Sequence, residues 1–168
     1  MRRLNVTQKL ISAREQYKVS DEAGYPVYEA EGSLLQVPKR FTIRDIGGTK
    51  LATLKRQPIS IFPKFNLEID GQHIITIQKE FSILKPKYRI EGMGVQVKGD
   101  IWNMSFDIIK DGNLIAKVDK KWISIRDVYA IEIYEERFEF TALCVVLAID
   151  YVKRLAARAR RRRNSSGS

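Results

Sequence analysis

At 168 residues, 44% of them hydrophobic and 30% charged, the chain has the composition of one globular domain able to bury a core, not of a disordered, collagenous or membrane-spanning protein. One cysteine and one histidine exclude an internal disulfide and leave almost nothing for a zinc site or a Cys/His nucleophile pair. The net charge is +10, yet residues 153–168 supply seven cations and no anion, so the rest of the chain carries only +3.

The amino terminus begins Met1-Arg2-Arg3-Leu4 but continues with Asn5, Thr7, Gln8 and Lys9. No apolar signal-peptide core follows the positive charges, and secretion is not expected. From Leu4 to Ile133 the sequence is a series of short β-branched and aromatic runs. They are broken by turn signals: Asp21-Glu22-Ala23-Gly24, Gly47-Gly48, Asp70-Gly71 and Asp111-Gly112. Aligning the glycines exposes an internal repeat. Counted from Gly48, Gly71 and Gly112, each copy has an aliphatic residue (Leu51, Ile74, Ile115), a second one (Leu54, Ile77, Val118) and then a base (Arg56, Lys79, Lys120). Further on come an aromatic (Phe65, Tyr88, Tyr129), an aliphatic (Leu67, Ile90, Ile131) and a glutamate (Glu68, Glu91, Glu132). A fainter copy starts at Gly24, with Val27, Ala30, Phe41 and Ile43.

Each copy reads as strand, loop and strand, so stacked copies make an antiparallel meander. The loops combine apolar groups with bases: Val37-Pro38-Lys39-Arg40, Ile61-Phe62-Pro63-Lys64, Leu84-Lys85-Pro86-Lys87 and Ile123-Ser124-Ile125-Arg126. Further strands around Val6, Tyr17, Val95 and Phe106 bring the total to about twelve, more than a flat sheet carries. Closure into a barrel removes the exposed edges.

From Glu135 to about Arg163 there is no Gly or Pro, acids begin the segment and bases end it, which predicts a helix. Its middle, Leu143-Cys144-Val145-Val146-Leu147-Ala148-Ile149, is apolar on every face, and such a helix must be surrounded. The apolar run from Phe140 to Ile149 spans only about 15 Å as a helix, half of a bilayer's hydrocarbon core. The predicted fold is therefore mostly β: a closed antiparallel barrel of about twelve strands enclosing a hydrophobic C-terminal helix. Residues 1–157 form this single domain, and 158–168 form a basic tail expected to be disordered.

Residue by residue the chain resembles the bacterial LURP-one-related family, within the tubby C-terminal-like superfamily that also holds the phospholipid scramblases. The likeness is carried by Val6-Thr7-Gln8-Lys9, Tyr17-Lys18-Val19-Ser20-Asp21-Glu22, Val27-Tyr28 with Gly32-Ser33, and Asp70-Gly71. It continues through Thr76-Ile77-Gln78-Lys79-Glu80-Phe81-Ser82, Trp102-Asn103-Met104-Ser105-Phe106 and Ala148-Ile149-Asp150. The resemblance implies a twelve-stranded barrel around a hydrophobic C-terminal helix. It also implies a connection to membranes, since tubby-like members bind phosphoinositides through basic surface residues and scramblases are membrane-associated. The chain departs from the scramblases in having no acidic loop with calcium-ligand spacing and no cysteine cluster.

The sequence offers little for catalysis, and the protein is read as no enzyme, with no metal and no cofactor. Cys144 lies among aliphatics, where burial suppresses thiolate formation. His73 sits on a strand where sister copies hold Lys50 and Leu114, and reads as a surface residue. Gly92-Met93-Gly94 lacks the third glycine of a dinucleotide fingerprint and reads as a hairpin turn. Asp100 and Asp107 read as solvated strand-end acids, and Trp102, Phe106 and Trp122 as barrel core or interface.

The expected function is a non-enzymatic binding or scaffold protein that contacts anionic membrane lipid, or a protein partner, through basic loops or the tail. The candidate residues are Lys64, Lys85 and Lys87 in the loops with Arg158, Arg160, Arg161, Arg162 and Arg163 in the tail. Two alternatives stand beside it: nucleic-acid binding through the Arg-rich arm, and scramblase-like lipid remodelling. No aromatic interleaves the arginines from Arg158 to Arg163, which weighs against base stacking. The expected location is the cytoplasm, peripheral to a membrane.

Overall fold

The computed structural model describes residues 1–9, 15–33, 38–81, 87–121 and 128–165. Among these lie twelve strands. They are β1 (Arg2–Lys9), β2 (Gln16–Ser20), β3 (Pro26–Gly32), β4 (Arg40–Asp45), β5 (Lys50–Arg56) and β6 (Lys64–Ile69). β7 (Gln72–Glu80), β8 (Lys87–Glu91), β9 (Val95–Asp100), β10 (Ser105–Lys110), β11 (Asn113–Lys121) and β12 (Val128–Ile133) complete the set. A 3-10 turn, Glu136–Phe138, leads into the helix α1 (Glu139–Ser165). The strands form one sheet in the order β8-β7-β6-β5-β4-β3-β2-β1-β12-β11-β10-β9, antiparallel throughout.

Because β1 pairs with β12, the two halves of the meander curl toward each other into a nearly closed barrel. The seam lies between β8 and β9. These strands follow one another in the chain, yet no ladder joins them, so Gly92-Met93-Gly94 forms a turn but not the hairpin the sequence suggests. Gly92 has φ +146°, and a Cβ there would stand 2.3 Å from the Ile74 carbonyl oxygen. Only glycine lets the chain cross so close to β7.

The repeat has a physical meaning that its spacing alone conceals. In each copy the first aliphatic residue is a β-bulge. The ladder steps from Val19↔Tyr28 to Ser20↔Pro26, passing over Val27. It steps from Ile43↔Ala52 to Arg44↔Lys50 past Leu51, from Leu67↔Ile75 to Glu68↔His73 past Ile74, and from Ile108↔Ala116 to Ile109↔Leu114 past Ile115. Each bulge follows a tight turn; Asp70-Gly71 and Asp111-Gly112 have positive φ at both positions, as a two-residue hairpin turn demands. Bulges bend the strand and increase its twist, so four at one barrel end supply curvature that closure requires.

Beyond the bulges the strands alternate. Leu4, Val6, Tyr17, Val19, Phe41, Ile43, Leu54, Phe65, Leu67, Ile75, Ile77, Phe106, Ile108, Ile131 and Ile133 all point inward and are buried. They surround α1, in which every residue from Ala142 to Val152 is buried. The helix apolar on all faces is thus enclosed by its own strands. Burial raises the Cys144 thiol well above its ordinary pKa, with Asp70 adding to the effect, as suits a packing residue.

Two differences concern the helix ends. Glu135 is extended, and the regular helix begins only at Glu139, after the 3-10 turn. At the other end α1 continues through Arg158–Arg163 to Ser165, so residues 158–165 are helical where the sequence suggests a disordered tail. Arg158 holds this stretch by pairing with the buried Glu15 carboxylate at 2.8 Å, and bases in the last turn complement the helix dipole.

Four tyrosines have phenols pushed up from their ordinary pKa, chiefly by burial: Tyr17, Tyr28, Tyr88 and Tyr151. The unfolded chain releases these protons near pH 10, whereas the folded chain retains them. The unfolded state then binds fewer protons, so stability from this source is intact below about pH 10 and declines as pH rises toward the folded-state values. Lys153, whose ammonium is lowered by burial, acts in the opposite sense below its ordinary value. Thermal melts across the alkaline range should show a falling midpoint, and Tyr17→Phe should flatten the fall. A midpoint that stays level through the tyrosine range would contradict the assignment.

Candidate functional site

The turns after β2, β4, β6 and β10 gather at one barrel end, and the longer connections after β1, β3, β5, β7 and β11, with the short turn between β9 and β10, at the other, because successive strands run in opposite directions. The carboxyl-terminal half of α1 leaves the barrel at the end with the long connections, called the mouth below. There Asp150 sits 2% exposed between three donors. The Tyr17 and Tyr129 hydroxyls donate to it at 2.7 and 2.8 Å, and Arg154 Nε pairs with it at 2.7 Å. Arg154 also donates to the Tyr129 oxygen at 3.0 Å. Burial works against the Arg154 charge, but Asp150, aided by the two tyrosines, outweighs it and raises the guanidinium's pKa.

The base near the end of each repeat's first strand falls on the inward-facing parity, one step past the last apolar layer. Arg56 follows Leu54, Lys79 follows Ile77 and Lys120 follows Val118. The mouth is therefore ringed with bases. Lys39, just before β4, and Lys64, at the start of β6, join them, and Lys153 crosses to the Trp102 carbonyl with its ammonium 5.6 Å from that indole ring. The acids present are engaged: Glu15 with Arg158, Glu80 with Arg89 and Asp150 with Arg154. Further acids collect at the opposite end, where Asp21, Glu22, Asp45, Asp70 and Asp111 occupy the turns, Asp111 paired with Lys110. Asp21 and Asp45 each accept a backbone N–H four residues on, at 2.9 and 2.8 Å. The turn chemistry that closes the hairpins thus also makes the molecule electrically polar.

Between α1 and the rim lies a groove of about 180 Å³. Its helix wall is Val152, Leu155, Ala156, Ala159 and Arg163, one face at helical spacing. Its barrel wall is Lys39, Arg56, Pro63, Phe65, Lys79 and Tyr88, and no carboxylate lines it. Past the rim, the connection from β5 to β6 projects Ile59 and Ile61, 94% and 96% exposed, with Phe62 beside them; Phe81 after β7 is 75% exposed.

Of the residues singled out from sequence, Lys64 is half-buried at the start of β6 and Lys87 exposed at the start of β8. Lys85 and Trp122 lie outside the described residues. Arg160, Arg161, Arg162 and Arg163 are exposed on α1, whereas Arg158 is a structural residue through Glu15. His73 is exposed, with Nε2 2.9 Å from the Thr76 hydroxyl. Asp100 accepts from the Asn103 backbone and side chain at 3.0 and 2.6 Å, a turn-forming role. Phe106 is core and Trp102 lies at the mouth. Sequence reasoning did not name Arg56, Lys79, Lys120 or Tyr88 as site residues. The inward parity of the base in each repeat was the signal that could have found three of them.

Among the described residues no helix is long and apolar enough to cross a membrane, and no group of three or more His, Cys, Asp or Glu is placed to hold a metal. The Bacillus subtilis protein YxjI, described as uncharacterised, is 26% identical over 146 residues, covering 87% of this chain and 89% of its own. An Arabidopsis thaliana protein of known X-ray structure shares the fold, with a TM-score of 0.57 at 14% identity over 89% of this chain and 91% of that one. The sequence model of the LURP-one-related family matches residues 2–150, the whole barrel and the enclosed part of α1 up to Asp150, and the chain belongs to that family.

Proposed function

We propose that the protein is a non-enzymatic binding module whose basic mouth contacts an anionic lipid surface. The observation that carries this reading is the gathering, at one barrel end, of bases and a projecting apolar tip. Each base near an anionic leaflet adds about 1 kcal/mol, and a cluster gives reversible attachment. The two exposed isoleucines offer a second, apolar contribution, as stable peripheral binding needs. Acids at the far end orient the barrel with its mouth toward the lipid.

Co-sedimentation with phosphatidylcholine vesicles containing rising phosphatidylserine tests the reading. Binding should increase with anionic lipid and weaken with salt. Ile59→Ser with Ile61→Ser should weaken it by about tenfold or more, since burying each side chain contributes up to roughly 1.5–3 kcal/mol. Arg160→Gln with Arg161→Gln is a better probe of the arm than truncation at residue 158, which would leave Glu15 buried without its partner. Salt-sensitive binding to RNA or DNA without any to vesicles would overturn the reading in favour of nucleic acid.

A further inference from the structure

We propose that the groove between α1 and the β5–β8 rim holds the headgroup of a single anionic phospholipid, a ligand class that rests on the reading of the mouth as lipid-facing. Arg56, Lys79 and Arg163 converge on this groove, and none has an ion-pair partner among the described residues. Bases brought together without an acid repel one another, and an anion between them removes that repulsion. The Tyr88 hydroxyl supplies the second observation. It is buried beside the groove with no hydrogen-bond partner, so the fold leaves a donor unused where an anion's oxygen can accept it. Burial raises the Tyr88 phenol, with Arg160 pulling the other way, so at neutral pH it carries its proton.

The remaining lining argues for an amphiphile over a bare anion. Leu155, Ala156 and Ala159 present an apolar wall opposite the bases. At about 180 Å³ the groove is smaller than the roughly 300–1,000 Å³ of sites that engulf a whole small molecule. It takes a phosphate and the first carbons attached to it, leaving acyl chains outside, where the Ile59 and Ile61 tip meets the membrane. The helix residues of the groove all lie beyond Asp150, where the family match ends. The site is thus built by the part of α1 beyond the family match, set against the barrel that the match covers.

The test uses the full chain with dihexanoyl phosphatidic acid below its micelle concentration, read by native mass spectrometry and titration calorimetry. One saturable equivalent should bind, and dihexanoyl phosphatidylcholine and inorganic phosphate should each bind about tenfold more weakly or worse. Ala159→Trp fills the groove from an exposed position while keeping every base. It should cut phosphatidic acid uptake by about tenfold or more yet leave the melting midpoint and vesicle co-sedimentation near wild type. Arg56→Gln with Lys79→Gln should match that loss through charge alone. Uptake unaffected by Ala159→Trp overturns the proposal, as does inorganic phosphate binding as tightly as the lipid. Vesicle binding without single-lipid uptake sinks the groove and spares the mouth, whereas loss of both sinks the mouth as well.

Discussion

Leu147→Asp is expected to abolish the folded state: the chain should elute expanded and show no cooperative melt. Leu147 is fully buried in the middle of α1, with the barrel wall on every side. The exchange forfeits roughly 1.5–3 kcal/mol of apolar burial. It also places a carboxylate where the neighbours Val146 and Ala148 are fully buried and apolar. The new group either stays charged, at a cost of several kcal/mol, or takes up a proton and remains a buried polar group with no partner. A domain this size has only about 5–15 kcal/mol to lose. Leu147→Met, which conserves volume, should cost less than about 1.5 kcal/mol, and Leu147→Ala about 2–5 kcal/mol. The order Met, Ala, Asp follows from enclosure. A helix docked along one flank would tolerate the aspartate at an outward position, so a near-native melt for Leu147→Asp would overturn the fold's central feature.

That enclosure was legible in the sequence because two separate signals required each other. A run apolar on every face, too short to cross a bilayer, needs a wall, and twelve strands with no capped edge need something to fill them. The Gly-anchored repeat likewise located the inward residues Leu54, Ile77 and Val118. What it did not disclose was the bulge: Leu51 and Ile74, the first aliphatic residues of their copies, are passed over in the ladder, with Ala52 and Ile75 buried instead. Register at a bulge depends on backbone turn geometry, which an aliphatic spacing cannot report. The seam was hidden for a similar reason, since pairing of β8 with β9 depends on how the whole barrel curls. Charge was legible in amount but not in place. The arginine run drew notice by its density, whereas Arg56, Lys79 and Lys120 lie far apart in the chain and meet only when alternation and barrel closure bring them to one rim. Arg158, by contrast, resembled its neighbours in sequence and was set apart only by the contact with Glu15.

Asp150→Ala is expected to cost about 3–5 kcal/mol, read as a lower urea midpoint with an unchanged slope. Asp150 accepts two buried hydroxyls and pairs with Arg154, whose side chain is 21% exposed. Alanine leaves the guanidinium mostly buried without its counter-charge and strands the hydroxyls of Tyr17 and Tyr129. Asp150→Asn keeps the shape and one acceptor, so it should cost less, although its amide N–H groups then face a hydroxyl that must reorient. Asp150→Ala combined with Arg154→Met should be milder than the sum of the two single changes, because no charge is left facing an empty place. Strict additivity would show that the pair is not coupled. The network also sets the depth of α1: Asp150 lies about one and a half to two and a half turns before Leu155, Ala156 and Ala159 and fixes the level at which they face Arg56 and Lys79. Asp150→Ala should therefore weaken phosphatidic acid uptake together with stability, while Ala159→Trp weakens uptake alone. If Asp150→Ala lowers stability and leaves uptake unchanged, the groove does not depend on the seating of the helix.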